Sequence, residues 1–169
     1  MKNILSKKLG SISILAVVMT LFFSACEQEG VEPYLNAAPG GGTVTTFKAY
    51  TLDSIPGAGN IYGRVVFWLD NANNTLVQIS LYNTKTGVSY PSGIFQGPVA
   101  GGPSGSVSTL TPVDGEKGEF APYKYFVIDN DDFFDDIDDL DAHVTIFLDA
   151  TPVAGGDVGK NAEPVLTGD

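Results

Sequence analysis

Between residues 61 and 82 apolar side chains fall on every second position. Ile61, Gly63, Val65, Phe67 and Leu69 share one parity, with Tyr62, Arg64, Val66 and Trp68 on the other. That period of two belongs to a strand with one buried face. Asp70-Asn71-Ala72-Asn73-Asn74 interrupts it with residues that tolerate tight turns. Val77, Ile79 and Leu81 then alternate with Gln78, Ser80 and Tyr82, so a hairpin over 61–82 is expected. Val144, Ile146 and Leu148 alternate in the same way with His143, Thr145 and Phe147. They predict another strand, with His143 near a surface.

Other segments follow with less regularity. Residues 43–52 are rich in β-branched and aromatic types, and Tyr123–Ile128 is a clear strand. Weaker strands are expected over Val88–Phe95 and Val107–Val113, with a last short one near 155–161. Turn-forming runs at 55–60, 84–87, 97–105 and 114–118 separate them. Residues 129–141 differ: eight aspartates surround Phe133, Phe134, Ile137 and Leu140. Spacings of three and four suit one short amphipathic helix or turn, kept brief by the poor helix propensity of Asp. Short strands divided by turns predict an all-β antiparallel sandwich with this one acidic helix or turn.

Composition agrees, since 20 Gly and 10 Pro in 169 residues suit strands and turns better than a helical bundle. The formal charge is −11. Beyond residue 25 there are 20 acidic against six basic side chains, a net of −14. Such a surface repels phosphate backbones, so no nucleic-acid partner is expected. It also repels anionic headgroups, so the folded domain itself should not lie on a membrane. The single cysteine, Cys26, excludes an intramolecular disulfide.

The N-terminal segment reads as an address. Lys2, Lys7 and Lys8 precede an apolar or small run from Ile12 to Ala25, shorter than the roughly 20 residues of a membrane span. It fits the h-region of a secretory signal. Phe23-Ser24-Ala25-Cys26 resembles the bacterial lipobox, with Phe23 in place of the usual aliphatic residue. That resemblance implies lipidation of Cys26 and cleavage before it. Acyl chains hold a protein at about 0.8 kcal/mol per buried CH₂. Glu27-Gln28-Glu29-Gly30, Pro33, Pro39 and Gly40-Gly41-Gly42 read as a flexible tether. Glu27 is not the aspartate associated with inner-membrane retention, so an outer-membrane location is expected, and the acidic residues just after Cys26 resemble surface-export signals of some bacterial lipoproteins. The domain limits are 1–25 signal peptide, 26–42 lipidated cysteine and tether, 43–161 sandwich, and 162–169 tail.

Candidate chemistry is sparse. His143 is the only histidine, and a catalytic triad or a zinc site needs more partners than it has. Calcium prefers carboxylate oxygens, which makes Asp129, Asp131 and Asp135 weak candidates. In an EF-hand count from Asp129, Phe133 takes the fifth place, Phe134 the glycine place and Leu140 the twelfth, so the spacing fails. The glycine-rich 97–105 loop has no following lysine of a P-loop. Trp68, Tyr82, Tyr90 and Phe95 could line a ligand surface or pack within the sandwich.

Five segments resemble the CHRD (chordin-type) domain of bacterial lipoproteins, over about residues 60–161: Gly63-Arg64-Val65-Val66-Phe67, Asn74–Leu81, Thr86–Pro91, Leu110–Gly115 and Gly156–Asn161. The resemblance implies a Greek-key sandwich similar to copper-zinc superoxide dismutases. Its histidine-rich signature, His-Pro-Ala-His-Ile-His, reads here Tyr90-Pro91-Ser92-Gly93-Ile94-Phe95. A later family histidine falls at Phe147. The metal role those histidines suggest is therefore not carried over, and no cofactor or metal is expected. The chain reads as a non-enzymatic lipoprotein held at the envelope through Cys26, with a binding or structural role toward a protein or glycan. Alternatives are a metal- or redox-linked domain on the same scaffold, and a calcium-assisted adhesion module.

Overall fold

The computed structural model describes residues 44–168, which lie in the second of two units of the chain, Leu35–Asp169. The leader, Cys26 and the tether fall outside the described residues. Strands β1 (Phe47–Ser54), β2 (Tyr62–Leu69) and β3 (Thr75–Tyr82) run as an antiparallel meander. The Asp70 turn closes the β2–β3 hairpin as its residue types require. Its carboxylate accepts the Ala72 and Asn74 amides at 2.8 and 2.9 Å, and Asn73 sits at φ 63°. The face that alternation assigns inward is buried: Val65, Phe67, Val77 and Ile79 are in the core.

The expected strand over Val88–Phe95 is two strands. Pro91 divides β4 (Ser89–Tyr90) from β5 (Ser92–Gln96), and they belong to different sheets. The 97–105 loop holds a 3-10 turn at Val99–Gly101 before β6 (Ser104–Thr109). The expected 107–113 strand is thus cut into β6 and β7 (Val113–Asp114). The unforeseen β8 (Glu119–Phe120) joins β4 and β7 in a small three-stranded sheet. The 123–128 strand shortens to β9 (Phe126–Ile128).

The acidic segment is one turn of helix, α1 (Phe133–Asp136), continued by a 3-10 turn at Ile137–Asp139. Phe134 and Ile137 are buried, and the five aspartates within these two turns and just before them are exposed. The apolar spacing predicts this anchoring. Lys48 reinforces it: its Nζ lies 3.0 Å from the Asp138 carboxylate and 5.0 Å from the Phe134 ring centre.

β10 (Asp141–Leu148) and β11 (Thr151–Gly159) complete the second half. A long antiparallel sheet runs β6-β5-β10-β11-β1-β2-β3-β9. β1 is its corner. Its C-terminal end, Asp53 and Ser54, pairs with β11, while Phe47–Ala49 pair along the same edge with β12 (Leu166–Gly168). β12 falls in what the sequence reads as a tail after residue 161, so the paired domain extends to Gly168. A late strand returning beside the first of three meander strands is the Greek-key arrangement. The sheet folds over so that its two halves enclose one core, with Tyr50, Leu52, Phe67, Ile79, Ile94, Val144 and Ile146 inside. This is the all-β antiparallel sandwich that the alternation predicts.

β11 departs most from its sequence signal. The sequence predicts only a short strand near 155–161, yet Thr151–Gly159 pairs with β10 along its length. A bulge between Ile146 and Phe147 gives it one extra residue, so Val153 and Ala154 both reach the core. Gly156 is required by proximity: a Cβ there would lie 1.9 Å from the Thr51 carbonyl oxygen.

Candidate functional site

The expectation for His143 is corrected. Alternation points it away from the core, but it is 0 % exposed. The 97–103 loop lies over that face of β10 and β11. Asp157, directly opposite His143 in the ladder, accepts the Val99 amide through Oδ1 and fixes the 3-10 turn there. Val99 then covers Gly155, where a Cβ would meet its methyl at 2.8 Å. His143 Nδ1 is 2.8 Å from the Gly97 carbonyl. A carbonyl only accepts, so Nδ1 carries the proton and donates it. Nε2 of His143 and Oγ1 of Thr145, two residues on, are buried without a hydrogen-bond partner among the described residues.

Two of the four positions that the resemblance assigns to family histidines, Phe95 and Phe147, meet as apolar rings. Phe95 stands edge-on to Phe147 with centroids 5.8 Å apart, and stacks on His143 from the other side at 5.7 Å. Tyr90 is fully buried, and its hydroxyl accepts the Lys85 amide at 3.0 Å. Trp68 donates from Nε1 to Gln78 at 3.1 Å and packs on Phe47 at 4.7 Å. Of the four aromatic candidates only Tyr82 is largely open, and it stacks on the half-exposed Tyr62 at 5.3 Å.

Asp129, Asp131 and Asp135 are all exposed. Among the described residues no three His, Cys, Asp or Glu side chains converge in a way that could hold a metal ion. Cys26 lies outside the described residues.

The concave site is elsewhere, and no local motif marks it. A groove of about 540 Å³ opens where β1 passes from β12 to β11. Tyr50, Thr51 and Leu52 pair with β2 on one side and have no ladder partner on this one. The 3-10 turn supplies Val99 and Ala100 to one wall, Ala162, Glu163 and Val165 form another, and Ile55 and Pro56 close an end. Asp53, Asp157 and Glu163 line it, and among the described residues no lysine or arginine does. None of the three has a salt-bridge partner among the described residues.

Tyr50 borders this groove, but its side chain lies in the core, 1 % exposed, with the hydroxyl beside the Gly159 backbone. Burial, and then the charge of Asp138, push its phenol from 10.0 up to about 12; the Gly159 backbone opposes the shift. The phenol is therefore a neutral group at ordinary pH.

Compared with known proteins, the chain matches no family model, no curated protein and no solved structure.

Proposed function

We propose that the chain is a membrane-anchored, non-enzymatic lipoprotein whose β-sandwich serves a binding or structural role at the cell envelope, held through Cys26. One observation carries this reading. A basic start, a short apolar run and Phe23-Ser24-Ala25-Cys26 are followed by a polar, glycine-rich stretch before the first strand. Such an order supports an acylated cysteine, a tether and a folded module in series. The module's chemistry supports binding over catalysis: its histidine is enclosed and bonded to a backbone carbonyl, and the groove beside β1 holds carboxylates against apolar walls. An outer-membrane location belongs to the same proposal.

Metabolic labelling with a radioactive fatty acid tests the anchor. Wild-type chain is expected to carry label and to sediment with membranes. Cys26→Ser should lose the label and leave the membrane fraction. Unlabelled wild-type protein, or membrane retention of the serine variant, would defeat the reading.

A further inference from the structure

We infer that the groove beside β1 binds a linear aliphatic diamine or polyamine. The first argument is charge. Asp53, Asp157 and Glu163 line the groove, and among the described residues no cationic side chain shares its walls to compete with an incoming cation. The second is spacing. These carboxylates share a cavity but do not converge tightly enough to hold a metal ion. A single divalent ion therefore finds no ligand set here, whereas ammonium groups need only one carboxylate each.

The third argument is the surface between the charges. Val99, Ala100, Pro56 and Val165 present apolar faces, which suit the hydrocarbon stem of an alkylammonium and would not favour a hydrated metal ion. The fourth comes from the sheet. Val165 donates its amide to the Ala49 carbonyl, but Thr51, next on that edge, belongs to neither the β11 nor the β12 ladder. Its carbonyl oxygen points to this edge, toward Gly156. Ammonium groups are donors only, so a polyamine answers the Thr51 acceptor as well as the carboxylates. The volume suits a small molecule. The inference builds on the binding role proposed above and is independent of the lipid anchor.

The test is calorimetric titration of the full chain, in non-ionic detergent, with spermidine and with a series of α,ω-diamines of increasing length. Saturable one-site binding with an optimum chain length is expected. Asp53→Asn/Glu163→Gln should weaken it roughly tenfold, the loss of two partly exposed ion pairs. Asp131→Asn/Asp135→Asn, remote from the groove, should leave it unchanged. Absence of saturable binding would overturn the inference. So would equal weakening by the two double variants, or affinity that follows only ligand charge and is matched by magnesium, since either means diffuse attraction to an acidic surface. A failure here with Cys26 still acylated removes the ligand and leaves the anchored-module reading standing.

Discussion

Replacing Gly156 with alanine puts a Cβ 1.9 Å from the Thr51 carbonyl oxygen, 3.0 Å from its carbon and 3.4 Å from Leu52 Cα. A carbon meeting a carbonyl oxygen sits at about 3.3–3.6 Å, so β11 and β1 must part by more than about 1 Å. All three obstacles are backbone, and no rotamer change relieves them. The ladder holding this seam covers only Asp53–Gly155 and Ser54–Ala154. Parting it gives up hydrogen bonds at about 1 kcal/mol each and adds overpacking strain of about 1–3 kcal/mol. A loss of about 3–5 kcal/mol is expected, against a typical total of about 5–15 kcal/mol. Urea unfolding followed by tryptophan fluorescence measures it, since the only tryptophan, Trp68, lies in β2 next to β1. Gly101→Ala is the control: nothing lies within 4 Å of its added Cβ, and its midpoint should hardly move. If Gly156→Ala costs under about 1 kcal/mol, or no more than the control, the close approach at the corner strand is not a real constraint.

Three further outcomes follow from the same geometry. Ile137→Ala should cost about 2–5 kcal/mol in urea unfolding, because a fully buried anchor is lost, while Asp131→Asn/Asp135→Asn should stay within about 0.5 kcal/mol. The Asn161 amide at 2.9 Å, then Lys160, hold the Asp141 carboxyl below its ordinary 3.8. A depressed carboxyl contributes stability above 3.8 that is lost as pH falls through the lower folded value, so Asn161→Ala should raise the Asp141 midpoint in an NMR titration. The Tyr50 phenol runs the other way, raised from 10.0 to about 12. Its contribution is present below 10 and lost as pH climbs toward 12. Tyr50→Phe should therefore flatten the alkaline limb of stability, and at neutral pH should cost no more than about 1 kcal/mol, the worth of the hydroxyl's contact with the Gly159 backbone.

Legibility in the sequence followed how local each cause is. The β2–β3 hairpin and the Phe134 and Ile137 anchors are visible because one periodic segment decides which side chains are buried. β4 and β5 were hidden because the chain changes sheets at Pro91, and alternation does not report which sheet a residue joins. β11 was legible only as a short last strand near 155–161, for a different reason. Glycines at 155 and 156 read as turn formers, whereas the fold needs them because Val99 and Thr51 press against the strand. His143 was misplaced because parity says only that it faces away from the core, and a loop from elsewhere covers that face. The groove had no sequence signal. It assembles β1, the 3-10 turn, β11 and the chain before β12, segments up to about a hundred residues apart.

β1 links these features. Val44, just before it, is buried against Leu76 with Trp68 and Tyr125 beside it, and β12 pairs with its first three residues. The chain is therefore fastened at the N-terminal end of β1 as soon as the described residues begin. The groove takes its β1 wall from Tyr50 onward, through the strand end to Pro56. At about 3.3 Å per residue, Phe47 and Ser54 are some 23 Å apart. A tether pulling on Val44 thus loads the doubly paired start of the strand and not the two-residue ladder at its end. The anchor proposed above would therefore load the start of β1 and leave undistorted the groove, which lies toward the other end of that strand. Anchoring and binding can then be lost separately, Cys26→Ser removing the first and Asp53→Asn/Glu163→Gln the second.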